Sequence, residues 1–274
     1  DYEVVHSFES DLYFNNKITL FNFIDANIGL RMVNYNSGKF NDLSFEPRIL
    51  INAQLSETQT LNFSYQTVNQ YAHLVFTSGS VLSNEVWIPA DEQIVPSNSV
   101  QYSAGWKGSF VEDNFQAEAN VYYKELNQLS TYKEGYSNLM GDGGWRSKIE
   151  AGGSGIAKGA ELLVRKTKGN WTGFVGYTYS NSTRKYPGIN GGEEYLFEYD
   201  RPHSISITVN RQLSKKWSFN LLWVYQTGLP YTPVIGRQLT PADGEYEEAY
   251  IYGERNSDRM KDYHRLDVGF IKNI

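Results

Sequence analysis

Strict alternation of apolar and polar residues recurs along this chain and limits its possible folds more than any other feature. The clearest runs are SISITVN at 204–210 and WSFNL at 217–221, and similar runs occupy 61–66, 100–107 and 115–121. Successive side chains on a β-strand point to opposite faces, so each run forms a strand with one apolar and one polar face. The chain is therefore predicted to be all-β and antiparallel.

The alternating runs predict an antiparallel meander of about eleven strands. Their expected bounds are 2–14, 17–35, 45–55, 59–72, 98–110, 115–127, 155–168, 171–181, 199–213, 217–227 and 262–272. Short connections are predicted at 15–16, 56–58, 112–114, 169–170 and 214–216. Long connections are predicted at 36–44, 73–97, 128–154, 182–198 and 228–261. Short and long connections alternate, which places all short turns at one rim of the sheet and all long loops at the other.

That one-sided layout is typical of outer-membrane β-barrels, whereas an immunoglobulin-like sandwich has no reason for it. The composition agrees, because 21 Tyr, 14 Phe and 6 Trp occur in a chain whose mean hydropathy is −0.51. Tyr and Trp lie near many strand ends, where they could form the aromatic girdles of a barrel. Ordinary β propensity and core packing are the alternative explanation for these aromatic residues.

Several function classes find no support in the sequence. The chain has 31 Asp and Glu against 25 Lys and Arg, so there is no basic field for nucleic acid. It has no cysteine, and its four histidines do not stand at metal-ligand spacing, so no metal site or cofactor is predicted. The carboxylate pairs Glu193-Glu194 and Glu247-Glu248 lie in predicted loops rather than on rigid elements. We therefore expect a protein that is not an enzyme.

A series of short motifs resembles the C-terminal part of the β-barrel of TonB-dependent outer-membrane receptors. The motifs follow one another in the family's order: FEPR at 45–48, LNFSY at 61–65, PSNSVQY at 96–102, YYKELNQL at 122–129, GIAKGAEL at 155–162, GYTYS at 176–180, DRPH at 200–203, TGLPYT at 227–232 and YHRLDV at 263–268. Each motif alone is weak, but their order and spacing together are fairly specific.

The resemblance implies that residues 1–274 are part of a 22-stranded transmembrane barrel. It implies that the N-terminal plug domain and the last hairpin lie outside this sequence. It also implies an outer-membrane location in a Gram-negative bacterium, contact with outer-membrane lipid, and energy supplied by the TonB complex through the plug. The imported ligand would be a siderophore, cobalamin, another metal chelate or an oligosaccharide, and the sequence does not choose among them.

The long loops contain the residues expected to bind that ligand. Aromatic rings can stack on a sugar, and arginines can clamp an anionic chelate. The candidates are Trp87, Tyr132, Trp145, Arg146, Tyr186, Tyr231, Arg237, Tyr250 and Arg255. The alternative for each residue is that it only packs the loops against one another.

Two other functions remain open at this point. A passive outer-membrane porin would share the strand pattern but would need no plug. A secreted β-sheet protein that binds carbohydrate through aromatic loops would be soluble without detergent.

Overall fold

The computed structural model describes residues 5–75, 86–136, 144–242 and 245–272. Its strands are β1 Ser7–Leu20, β2 Ile24–Ser37, β3 Phe40–Ser56, β4 Gln59–Gln70, β5 Ala72–Val75, β6 Val86–Pro89, β7 Ser97–Phe110, β8 Phe115–Tyr132, β9 Ile149–Lys166, β10 Trp171–Lys185, β11 Tyr195–Leu196, β12 His203–Gln212, β13 Trp217–Gln226, β14 Pro230–Tyr231, β15 Val234–Ala242, β16 Glu245–Tyr252, β17 Asp258–Arg259 and β18 Tyr263–Lys272. Two short 3₁₀ helices cover Trp145–Lys148 and Asn190–Gly192.

Eleven long strands form one antiparallel sheet in the order β1-β2-β3-β4-β7-β8-β9-β10-β12-β13-β18, and the short β11 pairs with the end of β10. This confirms the predicted meander, in which each strand pairs with the next long strand of the chain. The remaining short strands form three two-stranded ribbons within the long connections. In the described part of the chain, no helix is long and apolar enough to cross a membrane.

The turn predicted at 15–16 is wrong. Strand β1 continues through both asparagines to Leu20, and the chain reverses at Phe21 and Asn22, whose φ angles are 55° and 61°. Asn15 pairs with Gly29 across β2, and its amide oxygen lies in the space that a side chain at Gly29 would occupy. A short polar side chain facing a glycine fits inside a strand, which the local composition does not reveal.

The long loop predicted at 36–44 is also wrong. Ser37 pairs directly with Phe40, so β2 and β3 meet in a tight turn at Gly38 and Lys39, where Gly38 has a φ of 60°. The asparagines that suggested a loop belong to the strands. Three other strands are longer at the loop end than predicted, since β8 reaches Tyr132, β9 begins at Ile149 and β10 reaches Lys185.

The pairing register divides the sheet into an apolar and a polar face. One row of the apolar face joins Val209, Leu221 and Val268 on three adjacent strands. On the polar face, Ser64 and Ser103 share a hydrogen bond of 2.6 Å. Such two-faced strands are expected where one side meets lipid and the other an aqueous interior.

The apolar face becomes polar toward the end of the sheet that carries the long loops, which we call the loop end. There the side chain of Asn41 donates to Asn34 at 3.1 Å and to Asn36 at 2.5 Å. Lys158 and Asn181 pair on the same side, one row above the Ala160–Tyr179 pair on β9 and β10. The strands therefore extend past the apolar band, and the outer face of their last residues is polar.

Candidate ligand-binding surface at the loop end

The connection between β4 and β7 packs against the connection between β8 and β9. Val75, Ile88, Ile94, Tyr132 and Ile149 form a buried apolar cluster between them, and Trp145 packs against its edge. Tyr132 is only 8% exposed, so this candidate lies in the core of the loop end. Trp87 is 63% exposed on the β5–β6 ribbon and presents its ring to solvent.

A cleft of about 560 Å³ opens beside this cluster, and its lining includes Gln93, Lys133, Trp145 and Arg146. The Arg146 guanidinium lies 4.2 Å from the centre of the Trp145 ring, and its Nε donates to Asp91 Oδ2 at 2.8 Å. Two of the predicted residues are thus adjacent on one wall of an open cleft.

Asp91 links the two connections through its ion pair with Arg146. Burial opposes its ionisation, but hydrogen bonds from Arg146 and from the backbone N–H groups of Ile94 and Gln93 outweigh that cost. Together these contacts hold the pKa of Asp91 below its ordinary value.

A second group of side chains lies above the polar face at the end of β10. Arg184, Tyr186, Tyr195 and Arg255 meet there, and we call this group the two-arginine cluster. Arg184 and Tyr195 are paired residues of β10 and β11, and Arg255 arrives from the connection between β13 and β18. The Arg184 guanidinium lies 3.9 Å from the ring centre of Phe197, and Arg255 lies 5.9 Å from that of Tyr195.

Glycines on β9 make room for this cluster. A Cβ at Gly153 would lie 2.2 Å from Cε1 of Tyr186, and a Cβ at Gly155 would lie 2.9 Å from the Arg184 side chain. The tyrosine ring and the arginine therefore pack directly on the backbone of β9. Two glycines of the run GGSG at 152–155 therefore have a packing role.

The connection that carries Arg255 is fixed to the neighbouring connection by buried polar contacts. Arg259 Nη1 donates to the Asp200 carbonyl at 3.0 Å, and its Nη2 forms an ion pair with the buried Asp200 carboxylate. Asn256 donates from Nδ2 to the Leu196 carbonyl at 2.8 Å. The backbone N–H of Arg255 itself donates to Asn190 Oδ1 at 3.0 Å, so these contacts together define the position of Arg255.

The β15–β16 ribbon differs from the two-arginine cluster in its exposure. Arg237 Nη1 pairs with Glu248 at 3.3 Å and lies 5.5 Å from the Tyr250 ring centre, and all three side chains are exposed. Tyr231, at the base of the ribbon, donates its hydroxyl hydrogen to Asp258 at 2.8 Å. Three of the predicted residues therefore lie on an exposed arm of the loop end.

Residue type alone did not single out Arg184 and Tyr195. The sequence does contain a pattern that could have found Arg184. If the alternation of β10 is continued past residue 181, Arg184 falls on the same face as the polar residues Thr178, Ser180 and Ser182. In the structure it lies on that polar face and pairs with Gly155 of β9. Tyr195 could not be placed in this way, because it precedes the strand that local pattern predicted.

Long two-faced strands, tight turns at one end and long loops at the other define the wall of a large membrane β-barrel, which the described strands do not close. The family model described as TonB dependent receptor-like, beta-barrel matches residues 2–271. The chain therefore belongs to the TonB-dependent receptor family, whose members are outer-membrane proteins of Gram-negative bacteria.

Solved structures of such receptors share the fold. The siderophore receptor PiuA from Acinetobacter baumannii is 13% identical, with a TM-score of 0.67 over 98% of this chain and 37% of that chain. The FrpB iron transporter from Neisseria meningitidis is 10% identical, with a TM-score of 0.66 over 98% of this chain and 39% of that chain. The pyoverdine receptor FpvA from Pseudomonas aeruginosa, bound to pyoverdine, is 13% identical, with a TM-score of 0.64 over 97% and 36%.

The chain thus spans little more than a third of the length of these receptors. A search of curated protein sequences found no match.

Proposed function

We propose that the protein is an outer-membrane receptor for active transport of a scarce ligand. The ligand binds at the loop end and passes through the barrel, and the inner-membrane TonB complex supplies the energy. The observation that carries the proposal is the position of the two-arginine cluster and the Trp145 cleft. Both lie at the end of the sheet with long loops, where an outer-membrane barrel meets the exterior.

The proposal gives each of the nine loop residues predicted from the sequence a role in ligand binding, seven by contact and two by support. Trp87, Trp145, Arg146, Arg237 and Tyr250 have accessible surface for a first encounter. Tyr186 and Arg255 lie deeper, above the polar face. Tyr132 would act from beneath, by supporting Trp145, and Tyr231 by supporting the base of the exposed ribbon.

The proposal also treats residues 1–274 as one part of a larger barrel domain. The coverage of PiuA, FrpB and FpvA supports this, because each is more than twice as long as the segment matched here. A plug domain and a segment that contacts TonB would belong to the rest of the protein.

The proposal is tested with the full-length gene in its host. We expect the product in the outer-membrane fraction, with a gel mobility that changes on boiling. Radiolabelled ferric siderophore, cobalamin and oligosaccharide are then offered to cells with and without the gene. One label should accumulate only in cells that carry the gene, and only when no protonophore is present. Recovery as a soluble protein, or steady ion conductance with uptake that ignores the protonophore, contradicts active transport and indicates a secreted protein or a porin respectively.

A further inference from the structure

Arginines at the loop end differ in whether a carboxylate neutralises them. Arg146 pairs with Asp91 at 2.8 Å, Arg237 pairs with Glu248 at 3.3 Å, and Arg259 pairs with Asp200. Arg184 and Arg255 make no such pair with any residue that the structure describes. The charges of both arginines act on Tyr186 and on Tyr195, which lie between them. The carboxylate of Glu198 acts on Arg184 without an ion pair between the two.

The hydrogen-bonding capacity of these two guanidinium groups is only partly used. Nη1 of Arg184 donates to the Thr183 carbonyl at 2.8 Å and to Ser182 Oγ at 3.1 Å. Nε of Arg255 is buried and has no acceptor among the described residues. A guanidinium has five N–H donors, and a buried donor without a partner loses the hydrogen bonds that it would make with water. An acceptor brought by a ligand would compensate for that loss.

The tyrosines of the cluster do not neutralise the arginines. Burial raises the pKa of Tyr186 and of Tyr195, and the positive charges of Arg184 and Arg255 only partly oppose this effect. Both phenols stay uncharged at neutral pH. The ring centre of Phe197 lies 3.9 Å from the Arg184 guanidinium and that of Tyr195 lies 5.9 Å from the guanidinium of Arg255, so aromatic rings hold both groups in place. A guanidinium held in this way matches a planar, bidentate partner.

We propose that the two-arginine cluster binds an oxyanion of the transported ligand, a carboxylate or a phosphate, through Arg184 and Arg255. This proposal rests on the proposed function only in taking the bound ligand as the transported one. It selects an anionic ligand and excludes a neutral oligosaccharide, a choice that the sequence leaves open. Arg184 would be the fixed half of the clamp, since it lies on a strand, and Arg255 the half supplied by the last loop.

Calorimetric titration of the detergent-solubilised, full-length receptor tests the oxyanion site. Citrate and inorganic phosphate serve as oxyanion probes, maltotriose serves as the neutral probe, and sodium chloride keeps the ionic strength constant. We expect saturable binding of at least one oxyanion and none of maltotriose. Arg184→Gln and Arg255→Gln should each weaken oxyanion binding by about tenfold or more, because each removes a charged hydrogen-bonding partner.

Arg265→Gln is the matched control, since it removes an arginine of β18 that already has a carboxylate partner, Asp267, and that is not among the residues proposed to bind the ligand. Its binding should stay within about twofold of the wild type. Arg184→Lys keeps the charge and should retain more affinity than Arg184→Gln. Each variant is first checked for the heat-dependent gel shift, and Arg255→Gln decides the matter if Arg184→Gln does not fold.

The proposal is overturned if neither oxyanion binds saturably, if maltotriose binds as well, or if the control loses as much affinity as the cluster variants. Binding in detergent needs neither TonB nor a proton gradient. Loss of transport with intact oxyanion binding would therefore contradict the proposed function alone, and normal transport without an arginine effect would contradict the oxyanion site alone.

Discussion

The wall of the barrel and its loop end bury apolar surface in different ways. On the wall, large apolar residues such as Phe270 and Leu266 are more than half exposed in the chain by itself. At the loop end, Val75, Ile94 and Ile189 are almost completely buried by other parts of the chain. The loop end thus forms a core of its own, whereas the apolar residues of the wall stay exposed in the chain by itself, as expected for strands that face lipid.

The adjacent residues Leu221 and Leu222 give the largest test of this comparison. Leu221 lies on the apolar face, midway between Trp217 and Tyr225, whereas Leu222 lies on the polar face opposite Asp267. Leu221→Arg should destabilise the folded barrel by about 2–4 kcal/mol, because it places a charge in lipid near the midplane. Leu222→Arg should cost much less, since the new guanidinium lies on the polar face and can share Asp267, the present partner of Arg265.

Urea titration of the full-length variants in lipid vesicles, followed by the heat-dependent gel shift, measures both free energies of unfolding. Equal costs for the two arginines would mean that the two faces are not separated as the register indicates.

Gly153→Ala tests the loop end in the same assay. The new methyl group would collide with the Tyr186 ring, and overpacking of this kind costs about 1–3 kcal/mol. Gly269→Ala is the matched control, because nothing lies within 4 Å of its added Cβ. The Gly153 variant should also bind the oxyanion probes more weakly. Unchanged stability and binding would show that Tyr186 can leave its site without cost.

Lowering the pH should separate the two connections joined by Asp91 and Arg146. The pKa of Asp91 is lower in the folded protein than in the unfolded chain, so its stabilising effect is complete above the ordinary value, about 3.9, and is lost as pH falls through the folded value. Fluorescence of Trp145 should therefore stay constant down to about pH 4 and change below it. Asp91→Asn should remove that acid transition at a cost of about 1 kcal/mol. A transition near neutral pH would point to another group.

The exposed ribbon should matter least for stability. Val234 and Tyr252 pair directly, so residues 235–251 can be replaced by an Asn-Gly turn without displacing the strands below. The free energy of unfolding should change by less than about 0.5 kcal/mol, since the ribbon's large side chains are mostly exposed. A larger loss in the urea assay would show that the ribbon packs on the rest of the loop end.

The sequence predicts the wall better than the loop end for a physical reason. Parity fixes the face of Ile205, Ile207 and Val209 as soon as the strand is recognised, because β side chains alternate. No such periodicity exists in the loops. Whether Tyr132 is buried and Trp87 exposed depends on which connections pack together, and that contact joins residues far apart in the sequence.

The mistaken turns have a related cause. Asn15 and Asn36 lie inside strands, although asparagine favours turns in general. In the first case a facing glycine accommodates the side chain, and in the second the strand has already left the apolar band. For Arg184, strand alternation indicates the correct face, but no pattern in the sequence predicts which loop residues pack beside it.

The polar upper part of the strands lies between two regions that tolerate different substitutions, the apolar band below and the loops above. Below the row of Tyr179, substitutions on the outer face are limited by lipid. Above it, around Asn34, Asn41 and Lys158, the outer face is polar, so a polar collar lies between the apolar band and the loops. Residues of the loops can therefore vary without placing polar groups in the apolar band that anchors the wall.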